Sequence, residues 1–324
     1  MRGGYSVAVV GAGLVGDRLV AELRRRDFPM NELRVLARSA RRSVLAGEEF
    51  EVGVAEPEAF EGVDIAFFAG TEGEKGAAVQ LSGEAIARGA VVIDNGSDFR
   101  LAPGVPLVVP EVNAEALENH EGLIANANCS TIQMVVTLAP LAREFGLEKV
   151  VVSTYQAVSG SGRSGVDALE NGREDVYPKP IAGNAIPLIG SLGGDGYSTE
   201  ETKMRDESRK ILSLSDLKVF ATTVRVPVHT GHSESVYVET QREATLARVL
   251  NVLREAPGVE FSGDAAAYPT PLEVAGEPGT HVGRVRVEGN IIQYWSVADN
   301  LLKGAATNAV QIAESLVGVA HARA

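Results

Sequence analysis

Short apolar runs alternate with helical patterns over the first 130 residues. Ser6-Val7-Ala8-Val9-Val10 is apolar on both alternating faces, as a buried parallel strand requires. Leu19, Val20 and Leu23 then recur at helical spacing. Residues 33–37, 64–69 and 90–94 repeat the strand signal, and a helical pattern runs over residues 73–88. This alternation predicts a doubly wound parallel sheet. A further apolar run, Leu123-Ile124-Ala125, leads into Asn126-Ala127-Asn128-Cys129-Ser130-Thr131. Ile132, Val135, Val136, Leu138, Ala139 and Leu141 follow at helical spacing, so a helix starts here, with Ser130 and Thr131 as expected N-caps.

The second half has a different rhythm. Residues 150–156 read as a strand running into a Gly/Ser turn, residues 157–162, with a helix starting near Arg163. The Pro- and Gly-rich stretch 177–197 predicts irregular chain. A helix over 199–212 opens on Thr199-Glu200-Glu201, acidic as a first turn should be. Strands are expected at 217–226 and 235–240 and a helix near 243–256. Gly289-Asn290 marks a tight hairpin between Val285/Val287 and Ile291–Trp295, and an amphipathic helix closes the chain over 301–317. Sheet plus helices with antiparallel strands predicts an α+β domain.

Composition narrows the function classes. The 324 residues, 45% hydrophobic, suit two domains. A net charge of −13 argues against nucleic-acid or anionic-membrane partners, which need basic surface. A single cysteine excludes an internal disulfide or a multi-cysteine metal site and fits a reducing cytosol, so a cytoplasmic location is expected. There is no membrane-length apolar run and no signal peptide is expected, because Met1-Arg2-Gly3-Gly4-Tyr5 enters a strand at once.

Candidate chemistry lies at the strand ends. Gly11-Ala12-Gly13-Leu14-Val15-Gly16 is a G-x-G-x-x-G loop between strand and helix. Gly11 allows the tight turn, Gly13 close approach of a pyrophosphate, and Gly16 close packing of helix on strand. After the second strand stand Arg38 and Ser39, with Arg41 and Arg42 behind them and no carboxylate for a ribose. Arginine there suits a 2′-phosphate, so NADP is expected; the competing reading is a solvated basic loop. Gly70-Thr71 ends another strand as a floor for the cofactor, and Arg100 follows a strand end where an anion would bind. Cys129 at a helix mouth would be favoured as a thiolate nucleophile, against the bland reading of a buried small hydrophobe. Arg225 and His232 stand seven apart across a turn and are expected to face one pocket, His232 as a proton carrier. His229 and His232 lack a third ligand at metal-binding spacing, so no metal is expected.

In chain order, G-A-G-L-V-G, R-S-A, N-A-N-C-S-T, Y-Q-A-V-S-G-S-G, R-V-P-V-x-x-G-H-S-E and A-D-N-L-L-K-G-A-A-T-N-A-V-Q-I-A-E resemble the aspartate-semialdehyde dehydrogenase family over nearly the whole chain. The chain departs from the family's usual G-A-T-G loop at Gly13-Leu14 and has Ala127 where proline often precedes the Asn-Cys pair. The resemblance implies α/β architecture: a Rossmann-type NADP-binding domain over residues 1–128, joined by a C-terminal helix (300–324) packing back on it, and a larger α+β catalytic and dimerisation domain over 129–299. It implies NADPH-dependent reductive dephosphorylation of L-aspartyl 4-phosphate to aspartate 4-semialdehyde in lysine, threonine and methionine biosynthesis. Cys129 would carry the acyl thioester, Gln156 position the substrate, and His232 act as acid–base. Arg225 would hold the substrate carboxylate. Arg100, Asn128 and Lys203 would surround phosphate, and Glu200 the substrate amine, with Glu201 left as the alternative. Ala12 to Val15, Arg38, Ser39, Ser159, Gly160 and Asn300 would touch NADP. A homodimer or homotetramer is expected. The nearest rival is an N-acetyl-glutamyl-phosphate reductase, whose substrate is longer and lacks a free amine.

Overall fold

Apolar residues on both faces of the strands at 5–10 and 65–68 explain the first fold unit. The computed structural model describes residues 4–70, 73–264 and 266–318. Their contacts divide them into two compact units, residues 4–127 with 305–318, and residues 128–304. In the first unit β1 (Tyr5–Val10), β2 (Met30–Ala37), β5 (Ile65–Phe68), β6 (Val91–Asp94), β7 (Leu107–Val108) and β8 (Leu123–Asn126) join β3 (Arg41–Leu45) and β4 (Glu48–Val54). The sheet order is β3-β4-β2-β1-β5-β6-β8-β7, parallel throughout except for the β3–β4 hairpin.

Side-chain alternation builds one core on each face of this sheet. Val7, Val9 and Phe67 pack with Leu19 and Leu23 of α1 (Leu14–Arg25) and with Ala309 and Val310 of a C-terminal helix. Ala8, Val10 and Phe68 pack instead with Ala78 and Ala85 of α2 (Ala77–Ala87). Short α3 (Pro110–Asn113) lies between β7 and β8. The expected start of α2 at residue 73 is corrected to Ala77, because a turn with Gly73 at positive φ precedes it. The β3–β4 hairpin was not anticipated: Arg41 and Arg42, read as loop, are its first residues, and Arg42 pairs with Glu51 at 2.6 Å.

The second unit opens on α4 (Cys129–Phe145) and carries β9 (Leu147–Gln156), α5 (Gly162–Asn171), α6 (Thr199–Leu212), β10 (Lys218–Arg225), β11 (His232–Thr240), α7 (Leu246–Glu255), β12 (Val259–Phe261), α8 (Pro271–Val274), β13 (Thr280–Glu288) and β14 (Ile291–Ala298). Its mixed sheet runs β10-β9-β11-β14-β13-β12, with the end pairs β10–β9 and β13–β12 parallel and the successive pairs β9–β11, β11–β14 and β14–β13 antiparallel. Alternate residues Val150, Val152, Val236, Val238, Ile292 and Tyr294 are buried, whereas Val151, Tyr155 and Phe220 on the other face are exposed. Residues 177–197 contain isolated bridges and no longer element, as their composition predicts.

The closing segment differs from a single amphipathic helix. Leu302–Ala306 form one π-helical turn, and α9 (Thr307–Val317) belongs to the first unit, as the resemblance implies. Residues 307–310 and 312–314 are buried, so α9 is enclosed on nearly all sides. Polar anchors make that burial tolerable. Thr307 donates to Glu22 at 2.8 Å, Asn308 to Asn126 at 2.6 Å and Val108 at 3.0 Å, and Arg26 holds Glu314 at 2.6 and 2.9 Å.

Candidate active site

Asn128 caps α4. Its side-chain Oδ1 accepts from the backbone N–H groups of Ser130 and Thr131 at 3.0 and 3.1 Å. This corrects the expectation that Ser130 or Thr131 would be the cap: both lie inside the helix, fully buried. Cys129 therefore begins the helix, at the end favouring negative charge. From Ile124 to Leu141 it is the one residue that is not buried. A core hydrophobe would be buried like its neighbours; a nucleophile must be reachable. Gly304, in the π-helical turn, lies against it: a β-carbon at position 304 would stand 2.8 Å from the Cys129 β-carbon.

A contiguous polar cluster extends from this cap. Asn128 Nδ2 donates to Glu200 Oε1 at 2.9 Å, and Gln156 Nε2 donates to the same oxygen at 3.0 Å. Glu200 and Gln156 are both buried. Glu201 plays a different part. With Ser198 it completes the capping box of α6, and its Oε1 also accepts from Thr223 N at 3.1 Å. Glu200, not Glu201, faces the cluster. Lys203, half-buried, follows Glu200 by three residues on the same helix, the spacing that places both on one side.

The end of β9 brings in the remaining groups. Gln156 and Arg225 are paired neighbours at the ends of parallel β9 and β10. Arg225 Nη1 donates to Ala157 O at 2.6 Å, and Ala157 N donates to His232 Nδ1 at 3.0 Å. Arg225 Nη1 and the His232 ring edge also converge on Gly160, where a β-carbon would lie 2.9 and 3.3 Å from them. The expectation that Arg225 and His232 face one place is met. The Arg225 guanidinium lies over the Tyr177 ring at 6.0 Å, and its buried Nε has no hydrogen-bond partner. An anion is the natural complement of a buried arginine edge. His232 is fully buried, and burial, followed by the Arg225 charge, holds its pKa well below the ordinary 6.5. It is neutral at pH 7, and since Nδ1 accepts, Nε2 carries the proton; Nε2 has no hydrogen-bond partner. His229 instead is exposed and lies 3.7 Å from Glu170, so the two histidines do not converge. Among the described residues no group of three or more side chains could hold a metal.

Ser159 and Asn300, expected at the cofactor, bind each other: Asn300 Nδ2 donates to Ser159 Oγ at 3.0 Å, while Asn300 Oδ1 accepts from Gly231 N at 2.9 Å. Their side chains hold the loop that carries Gly160 to the turn before His232.

The first unit contains the Gly11–Gly16 loop. α1 begins after Gly13, which has no side-chain cap, so its first N–H groups are available to an anion. A β-carbon on Gly13 would meet nothing within 4 Å, whereas one on Gly16 would stand 1.8 Å from Gly11 O. Open space above the helix mouth and forced closeness beneath it fit a bound pyrophosphate. Arg38 and Ser39 are exposed past the end of β2. Thr71 lies outside the described residues. Arg100 is buried, with Nε donating to Asn126 O and Nη2 to Asn95 O, both at 2.9 Å.

The chain matches the semialdehyde dehydrogenase NAD binding domain over residues 6–120 and the semialdehyde dehydrogenase dimerisation domain over residues 138–303. It is 47% identical to the aspartate-semialdehyde dehydrogenase of Bacillus subtilis, with 97% of each chain covered. It belongs to the aspartate-semialdehyde dehydrogenase family. Within that family, the solved Vibrio cholerae aspartate semialdehyde dehydrogenase II complexed with ASA superposes with a TM-score of 0.92 at 40% identity, covering 97% of this chain and 98% of that one. The Candida albicans enzyme solved with NADP superposes at 0.74 with 25% identity, covering 97% and 98%. The chain is thus an oxidoreductase of amino-acid biosynthesis acting on an aldehyde group, with an NAD(P)-binding domain, and the N-acetyl-glutamyl-phosphate reductase alternative is set aside. Among the described residues no helix is long and apolar enough to cross a membrane.

Sequence reading missed three supports of this family site. Glu207, buried on α6, accepts from Asn128 N at 2.7 Å and so fixes the residue before Cys129. Gly304 gives Cys129 its space, and Tyr177 stacks on Arg225. Only Gly304 had a readable signal, a glycine inside an otherwise helical run.

Proposed function

We propose that Cys129 is the nucleophile, Gln156 and Glu200 the substrate-positioning pair, Arg225 the carboxylate ligand and His232 the acid–base of NADP-dependent reduction of L-aspartyl 4-phosphate. The observation that carries this reading is the partly exposed Cys129 beside a buried, hydrogen-bonded Asn128–Glu200–Gln156 cluster. The thiolate attacks the acyl phosphate, forming the Cys129 thioester as phosphate leaves. Lys203 and Asn128 are assigned to the phosphate, as is Arg100 of the first unit. The buried Arg225 edge binds the α-carboxylate, and Glu200 offers its second oxygen to the α-ammonium. The nicotinamide, when bound, supplies hydride to the acyl carbon. His232 Nε2–H protonates the oxygen of the resulting hemithioacetal and takes that proton back as the C–S bond breaks and the carbonyl re-forms, releasing the semialdehyde and the Cys129 thiolate.

The Gly11–Gly16 loop is assigned to the pyrophosphate, and exposed Arg38 with Ser39 to the 2′-phosphate of NADP; Ser159, Gly160 and Asn300 remain proposed contacts at the nicotinamide end. The dimerisation-domain match supports a homodimer. We assign its interface to the open sheet face, where Phe220, Val151 and Tyr237 are successive cross-strand neighbours. Sedimentation of the purified protein distinguishes dimer, tetramer and monomer. A cytoplasmic site of action is consistent with a single cysteine.

The deciding experiment is phosphate-dependent NADP reduction with aspartate semialdehyde, for wild type and Cys129→Ala. Turnover that disappears in Cys129→Ala is expected. Undiminished turnover in that variant would refute the covalent mechanism.

A further inference from the structure

One row of the sheet below the proposed catalytic groups is polar where a core row should be apolar. Glu234 on β11 is fully buried, two residues along the same strand from His232. Its direct cross-strand neighbours are Thr154 on β9 and Ser296 on β14, also fully buried. Such pairs have β-carbons roughly 4.5–5.5 Å apart, within a glutamate's reach. The row beyond it is apolar, with Val152, Val236 and Tyr294. Above the polar row lies α4, whose Gln133 Nε2 donates to Ser296 Oγ at 3.0 Å. Gln133 is one helical turn from Cys129.

The donors and acceptors in this row have a direction. Ser296 Oγ accepts from Gln133, so its own O–H is left to donate. At the other end Thr154 Oγ1 donates to Gln156 Oε1 at 3.2 Å, so its lone pairs are left to accept. Gln156 passes the direction on, donating through Nε2 to Glu200. A residue that bridged Ser296 and Thr154 would therefore accept on one side and donate on the other. A carboxylate only accepts; a protonated carboxyl does both. The surroundings agree. The cross-strand neighbours carry no charge, the titratable groups facing Glu234 are the phenol of Tyr294 on β14 and the neutral His232 imidazole two residues along β11, and burial pushes the Glu234 acid well above its usual range, more than the Ser296 hydroxyl lowers it.

We propose that Glu234 is a positioning residue that works as a neutral carboxylic acid, closing a one-way hydrogen-bond chain from Gln133 through Ser296, Glu234 and Thr154 to Gln156 and Glu200. Both Glu234 oxygens are buried without a hydrogen-bond partner in the structure, and the two central links, to Ser296 and to Thr154, are part of what we assign. The chain ties the turn of α4 beneath Cys129 to the Gln156–Glu200 pair and holds their mutual placement. This rests on the catalytic reading of Cys129 and Gln156 above.

The test compares wild type, Glu234→Gln and Glu234→Leu in the aspartate semialdehyde assay and in thermal unfolding between pH 5 and pH 8. Glutamine accepts and donates as the neutral acid does. It should keep kcat/KM within about threefold, while leucine lowers it about tenfold, the scale of one lost buried hydrogen bond. The unfolded glutamate ionises above about pH 4.5 whereas burial keeps the folded one protonated to higher pH, so the contribution of this group to wild-type stability falls as pH rises, a loss that Glu234→Gln does not carry. The Tm advantage of Glu234→Gln should therefore widen from pH 5 to pH 8. A Tm gap independent of pH, a glutamine variant as impaired as leucine, or a leucine variant as active as wild type would each overturn the proposal. If Glu234→Leu fails to fold, Thr154→Val breaks the same chain one link away, and its unchanged kcat/KM would overturn the proposal too. Absence of turnover in wild type would instead count against the catalytic reading, and the Tm comparison would still decide the protonation state of Glu234.

Discussion

The backbone N–H of Ala157 donates to His232 Nδ1 at 3.0 Å, and this single bond sets which tautomer His232 adopts. A buried, neutral imidazole with its proton on Nε2 follows. Replacing it by glutamine should lower kcat about 10²–10⁴-fold, the range of one general acid–base. The acid limb of the wild-type pH–rate profile that disappears in His232→Gln should lie below 6.5. Stability shows the same group. The unfolded chain takes up a proton below about 6.5 where the folded chain does not, so stability is full above that pH and falls as pH drops through it. Urea titrations at pH 7.5 and 5.5 should show a smaller acid-side loss for His232→Gln than for wild type.

Gly304→Ala should impair chemistry through Cys129. Its methyl group would sit 2.8 Å from the Cys129 β-carbon, so one of the two must move. An overpacking cost of about 1–3 kcal/mol is expected in denaturant titrations. We expect kcat to fall at least about tenfold and alkylation of the thiol to slow, since a displacement near 1 Å at a reacting group is costly. Wild-type alkylation rates in this variant would sink the idea.

Glu200 and Glu201 are neighbours with separable roles. Glu201→Gln weakens the α6 capping box, so its effect should appear as about 0.5–2 kcal/mol of stability with KM nearly unchanged. Glu200→Gln keeps the helix cap but removes the negative charge proposed to meet the substrate ammonium. Its KM for aspartate semialdehyde should rise, with Tm close to wild type. Steady-state kinetics paired with thermal melts distinguishes the two, and the reverse pattern would exchange the assignment.

Arg38→Ala should raise KM for NADP and leave KM for NAD near its wild-type value, because the side chain is exposed beyond β2 and is assigned only to the 2′-phosphate. Equal losses with both cofactors would remove that role. The β3–β4 hairpin supports the test, since Arg42 is committed to Glu51 and does not substitute for Arg38 there.

Much of the fold was legible because it is written in local period. Both-sided apolar runs such as residues 6–10 and 64–69 announce strands covered on two faces, and the two cores of the first unit bear this out. The misses have physical causes. The β3–β4 hairpin is an exposed edge rich in charge, so its strands lack the apolar alternation of a buried sheet. The cap of α4 was misplaced by two residues because Asn128, Ser130 and Thr131 are all good cap residues, and only the backbone geometry selects among them.

The sequence by itself determined the order of elements, the G-x-G-x-x-G loop between strand and helix, the cysteine at a helix start and the nearness of Arg225 to His232, since each rests on residues close together in the chain. Tertiary structure decided what depends on sheet order and register. It placed Asn128 on Glu200 across 72 positions, turned Glu200 rather than Glu201 inward, and set Glu234 between Thr154 and Ser296. A carboxyl group's identity is local, but its charge depends on what surrounds it. That environment is assembled from strands far apart in the chain, which is why Glu234 reads as an ordinary strand acid in sequence and as a buried neutral one in the fold.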